Sequence, residues 1–258
     1  MITTRSVDTA TRVRAGIVFG IAVLAAGGFT DASAQPRERV AISLNGASQA
    51  TDNPFSDRFE FPVDRETAST ESHYPVKGGV LIDGSIALRV WRNIGAGVAV
   101  SHFVRDGTAT TDSRLPHPLY FASLRTLAGD VRGVSRTERG IHVQALYRFA
   151  FAAPIRVTLF GGPSIIRVEQ DVVSAIQYNE SFPYDQPTFG AAETRPVRGS
   201  AVGFNAGADV AWMFARHVGV GGVARVARAT VDLDLPGGRS KAVDAGGLSG
   251  GAGLRVVF

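Results

Sequence analysis

The chain has 258 residues, a formal net charge of +4 and 45% hydrophobic residues, with 30 glycines and no cysteine. That excludes a disulfide-stapled scaffold and thiolate metal sites, and it favours many strands joined by tight turns. All but two of the 27 basic residues are arginine, and they are scattered rather than gathered in one stripe, which argues against a nucleic-acid partner.

The first element predicted is an export signal. Arg5, Arg12 and Arg14 precede the apolar run Ala15 to Gly28, and Ala32-Ser33-Ala34 supplies a small-x-small cleavage pattern. Residues 1–34 therefore read as a cleaved secretory signal peptide and 35–258 as the mature domain. The apolar run is about 14 residues, short of the ~20 that a membrane-crossing helix needs, and no other stretch is as long.

Eight strands with period-2 alternation follow, at about 39–48, 79–91, 93–105, 139–152, 155–168, 199–214, 217–231 and 243–258. In the fourth, Ile141, Val143, Ala145, Tyr147, Phe149 and Phe151 alternate with His142, Gln144, Leu146, Arg148 and Ala150. In the sixth, Val202, Phe204, Val210, Trp212 and Phe214 share one face, with Asn205 and Asp209 on the other. One face is apolar throughout; the other mixes small, polar and charged residues. A soluble sandwich or a membrane barrel would each produce this alternation.

Three features favour the barrel. The connections alternate short (91–93, 152–154, 215–216) and long (49–78, 106–138, 169–198, 232–242), as in barrels with tight periplasmic turns and long extracellular loops. Tyr147, Phe149, Phe151, Trp212, Phe214 and Phe258 lie on the apolar face near the short turns or the C-terminus, which suits an interfacial aromatic girdle. The last segment, "GLRVVF", pairs with the first to remove the open edge, with Leu254, Val256 and Phe258 toward lipid. The predicted fold is all-β, an eight-stranded antiparallel transmembrane β-barrel.

With Phe258, Val256 and Leu254 ending the chain and turn-then-strand units such as "WRNIGAGVAVSHF", "IRVTLFGGPS" and "ARHVGVGGVARV", the sequence resembles the small eight-stranded outer-membrane barrels of the OmpA/OmpX type over about 38–258. The resemblance implies the outer membrane of a Gram-negative-type bacterium, reached by Sec-type export. It also implies lipid and lipopolysaccharide as surroundings, and a C-terminal signal read by the barrel-assembly machinery. It carries no catalytic motif, cofactor or metal.

The expected lumen set is Arg39, Asp83, Arg89, His142, Arg148, Arg156, Asn205, Asp209, Arg225 and Arg255, with Asp209 and Arg225 expected to pair diagonally across the lumen face. The five histidines (His73, His102, His117, His142 and His217) lack metal-ligand spacing. His102 points toward lipid near the outer leaflet, where some lipid-A deacylases place a triad, but no outward serine or acid is found beside it. "GGPS" at 161–164 reads as a bulge within a strand, and Leu119, Phe121, Leu124 and Leu127 nearly fit a short helix in a loop. Eight strands leave an interior filled by side chains. The expected function is thus a structural or surface-interaction role exerted through the loops on an extracellular partner. A narrow anion-preferring channel is the alternative, and a lipid-A-modifying enzyme the third.

Overall fold

A computed structural model describes residues 39–149 and 154–258. The expected signal peptide, 1–34, and Phe151 of the expected girdle lie outside the described residues. Ten strands are present among the described residues: β1 (Val40–Gln49), β2 (Phe55–Val63), β3 (Glu66–Tyr74), β4 (Gly79–Trp91), β5 (Ile94–Pro116), β6 (Leu124–Phe149), β7 (Ile155–Asn179), β8 (Thr188–Met213), β9 (Val218–Leu235) and β10 (Arg239–Val257). Eight of them close a ring in the order β5-β4-β1-β10-β9-β8-β7-β6, the last pairing back to β5. Closure runs through β1 and β10, from Ala41↔Val257 to Gln49↔Ser249, so the terminal segment does seal the wall.

The wall is apolar outside because its outward positions are. On β9, Val218, Val220 and Val226 face out, and Arg228 ends the band, a span of about nine residues that suits a tilted strand crossing a bilayer. Inward, the same strand carries Arg225 at 5% exposure.

Past the band the two faces exchange character while the parity of β9 stays the same. Outward positions become Arg228, Thr230, Asp232 and Asp234; inward ones become Ala229, Val231, Leu233 and Leu235, of which Val231 and Leu233 are fully buried. The strands therefore do not stop where lipid ends. The expected loops 106–138, 169–198 and 232–242 are corrected to extensions of β5–β10, turning only at 117–123, 180–187 and 236–238. Water above the bilayer reverses which face must be apolar, and the backbone continues its ladder.

Above Arg136↔Gln170, Phe204↔Arg228 and Gln49↔Ser249 the ladders between neighbouring hairpins end. Three ribbons, β5–β6, β7–β8 and β9–β10, continue upward. They share an apolar core that includes Val168, Val172, Val197, Val231, Leu233 and Val243. The first expected loop, 49–78, contains the β2–β3 hairpin, which adds to the β5 edge at Ser69↔Arg114 to His73↔Thr110. Its two-residue turn puts Asp64 and Arg65 at φ of 49° and 67°, the left-handed geometry that matches strand twist.

Two further local expectations are corrected. "GGPS" contains no bulge, for β7 holds one register with β8 through Gly162↔Asn205 and Pro163↔Phe204. Pro163 lacks a donor, and only the pairing to β6 lapses there. The expected helix near Leu119–Leu127 is a turn followed by β6, because Leu127 packs into a cluster with Ala68 and Leu115. The inserted residue on β6 instead falls at Gly133, whose φ of +75° accommodates the register shift beside Gly107 and Thr108.

Candidate functional site

Inward side chains of the membrane-spanning wall form a layered interior. At the short-turn end lies a cavity of about 90 Å³ lined by Asp83, Arg89, Arg148, Arg156, Asp209, Arg225 and Arg255, with Asn45 and Gln144. That space exceeds the ~10–15 Å³ a single water requires, so a small hydrated anion or several waters fit. Of the expected lumen set, Arg39 stands apart, exposed at the rim before β1.

The expected Asp209–Arg225 pair is not formed. Arg225 from β9 reaches across to Asp83 on β4, making a bidentate ion pair in which both side chains are buried. Asp209 instead accepts from Arg255 of β10, through Nε at 3.2 and 3.0 Å and through Nη2. Asn45 joins the two pairs, since Arg255 Nη1 donates to its Oδ1 at 2.6 Å and its Nδ2 donates to Asp83 Oδ1 at 3.2 Å. The result is one continuous chain, Asp209–Arg255–Asn45–Asp83–Arg225, spanning β8, β10, β1, β4 and β9. Sequence reasoning missed Asn45, although its inward parity in β1 marked it as a polar lumen residue.

A second layer lies above. His142 contacts Ser101 Oγ through Nε2 at 3.0 Å and Ser164 Oγ through Nδ1 at 2.8 Å. Asn205 Nδ2 donates to Ser164 Oγ at 2.9 Å, and Gln144 donates to Asn205 Oδ1 at 3.0 Å. Both imidazole nitrogens are thus engaged by hydroxyls, and no carboxylate orients the ring as a catalytic triad requires. Higher still, Arg136 Nε donates to Glu138 at 2.8 Å, Arg136 Nη2 donates to the Asp244 carbonyl at 2.6 Å, and Glu138 Oε2 accepts from Gly246 N at 2.8 Å. Above that plug begins the apolar core of the ribbons.

On the outside, Tyr147, Phe149, Trp212, Phe214 and Phe258 are all exposed. Tyr147 and Phe149 meet edge to face at 5.0 Å, Trp212 and Phe214 lie at 6.2 Å, and Phe258 stacks on His217 at 6.2 Å. Trp91 belongs to the same end, with Arg92 5.1 Å from its ring, and was not anticipated. Leu254 on β10 and Phe258 just after it are exposed, Arg255 and Val257 are buried, and Val256 is half-buried.

The far end carries the other cluster. Arg125 on β6 forms an ion pair with Glu180 and donates to the Tyr184 carbonyl at 2.6 Å and the Pro116 carbonyl at 2.6 Å. His117 lies 3.4 Å from Asp185. These contacts tie the β5–β6 tip to the β7–β8 tip. Around them Leu119, Tyr120, Phe121 and Phe182 stand in water, Phe121 at 83% and Phe182 at 79% exposure.

No family model and no curated protein sequence matches the chain. Solved structures similar to it include the outer membrane protein OprG from Pseudomonas aeruginosa, at 8% identity and TM-score 0.47, with 86% of this chain and 96% of that one covered. Neisserial surface protein A is similar at 14% identity and TM-score 0.41, covering 85% and 97%. The outer membrane protease OmpT from Escherichia coli is similar at 11% identity and TM-score 0.48, covering 88% and 99%. Ring closure and the outward apolar band make this chain an all-β membrane barrel of the outer-membrane type.

Proposed function

We propose that the protein acts at the cell surface as an interaction protein, a closed barrel that holds a stiff three-ribbon head above the outer membrane. The observation that carries this reading is the tied pair of tips with Leu119, Tyr120, Phe121 and Phe182 exposed. Large apolar side chains held in water by a packed frame mark a contact surface. Cells displaying the wild-type protein should adhere to surfaces coated with extracellular-matrix protein. Substituting serine at Tyr120, Phe121 and Phe182 together should reduce adherence about tenfold or more at equal surface display, each being an anchor of hot-spot type. Unchanged adherence by the triple variant, or none by the wild type, would refute this reading.

The channel reading draws on the arginine-rich cavity, where five arginines face two aspartates. Against it, the interior above Arg136 is filled by fully buried Val168, Val172, Val231 and Leu233. An enzyme reading finds no support at His102, whose cross-strand neighbours are Ile82 and Arg139. An assembly role for Leu254, Val256 and Phe258 is supported by the exposure of Leu254 and Phe258 at the end of the strand that seals the ring.

A further inference from the structure

A second set of basic side chains points away from the lumen. His102 on β5 pairs with Arg139 on β6, and Arg139 pairs with Arg167 on β7, so the three form one row across adjacent strands. All three are exposed. One outward step down, Val100, Ile141 and Ile165 form the next row, each more than half exposed. The basic row therefore sits on the upper rim of the apolar band, where acyl chains give way to headgroups.

Two guanidinium groups directly opposite each other on antiparallel strands repel, and such pairs destabilise a sheet. The row holds no carboxylate to relieve them, because it is flanked by Ile82 on β4 and Ser200 on β8. The acid one step above, Glu169, is taken by Arg198, which donates to it at 2.8 Å. That hydrogen bond is the main reason the Glu169 carboxyl is held below its usual range, with the charges of Arg139 and Arg167 adding to it. Arg139 and Arg167 thus stand opposite each other on β6 and β7 with an excess of positive charge on that patch of the outer face.

We propose that His102, Arg139 and Arg167 bind the phosphorylated headgroup of the outer-leaflet glycolipid. Guanidinium forks match phosphate oxygens bidentately, and a bound phosphate removes the repulsion between Arg139 and Arg167. The occupant is a lipid rather than a soluble anion because Val100, Ile141 and Ile165 directly beneath supply a surface for its acyl chains. This site is separate from the apolar tips and stands or falls without them.

The test uses the full chain refolded into phosphatidylcholine vesicles, alone or with bis-phosphorylated lipid A, with dephosphorylated lipid A, or with inorganic phosphate in the buffer. The thermal midpoint of the folded gel band and the lipid A retained on purification are measured. The wild type should gain stability and retain lipid only with the phosphorylated form. The double variant R139Q/R167Q should bind it about 30-fold more weakly, as expected for two cationic side chains near an anionic surface. It should fold in neutral vesicles at least as well as the wild type, because a repulsion has been removed. Equal wild-type midpoints with phosphorylated and dephosphorylated lipid A would overturn the proposal without any variant being needed. Full retention of binding by the double variant, or the same gain from inorganic phosphate, would overturn it too.

Discussion

Asp83 is 2% exposed and carries both the Arg225 pair and the link through Asn45 to Arg255. Asn in its place would leave Arg225 as a buried charge without its carboxylate, a loss of about 3–5 kcal/mol by the usual cost of breaking a buried pair. Asp209 is 22% exposed at its side chain and partners Arg255, which keeps Asn45 when Asp209 is neutralised. Asp83→Asn should therefore lower the midpoint of the folded band clearly more than Asp209→Asn. The reverse order would mean that the ion pairs are exchanged in the folded protein. The expectation that Asp209 and Arg225 would pair came from adjacency on β8 and β9, which was sound as far as it went. Only barrel closure could bring Asp83, 142 residues away in sequence, into reach of Arg225.

At the level of elements, the ribbons above the wall behave as a water-soluble sheet with its own core. Tyr74, at the end of β3, stacks on Phe55 at 4.5 Å and accepts a hydrogen bond from Val173 N at 2.8 Å, beside the register shift in β7. Burial is the largest influence on its phenol and raises its pKa. An acid whose folded-state pKa is raised holds its proton more tightly when folded, so its contribution is intact below the unfolded phenol's range and is lost as pH rises through and beyond it. Amide exchange or limited proteolysis of β2–β3 should accordingly accelerate in strong alkali. Tyr74→Phe should remove that pH slope, although the hairpin starts weaker by about 1 kcal/mol for the lost hydrogen bond. Identical slopes in the two proteins would show that the ribbon opens for another reason.

Considered as a whole, the described residues hold a polar cavity at the short-turn end and an apolar core at the other. The Arg136–Glu138–Gly246 contacts and the buried valines and leucines close the path between them. In planar bilayers the wild-type barrel should show no steady conductance steps. Sustained steps with an anion-selective reversal potential would make the arginine-lined cavity the mouth of a pore, and the head a gate rather than a platform.

The wall was legible in the sequence because lipid imposes a rule that each strand obeys locally: apolar residues at every second position, aromatics at one end, short turns between. Positions such as Ile141, Tyr147, Trp212 and Leu254 announce their face from their immediate neighbours. The extensions were legible only in part. "ATVDLDL" continues the alternation of β9, but with the apolar set turned inward, and a rule tuned to lipid reads that change as the end of the strand. Parity likewise put Arg225, Asp209, Asp83 and Arg255 on the inward face and His102 on the outward one. Which charges meet was decided by the tertiary structure alone, since partners across a lumen or along a row depend on strand tilt, closure and register between segments far apart in the chain. The sequence by itself therefore determined which way each wall residue faces, because facing is a property of one strand. The ion-pair chain, the tied tips and the basic row are properties of the closed ring.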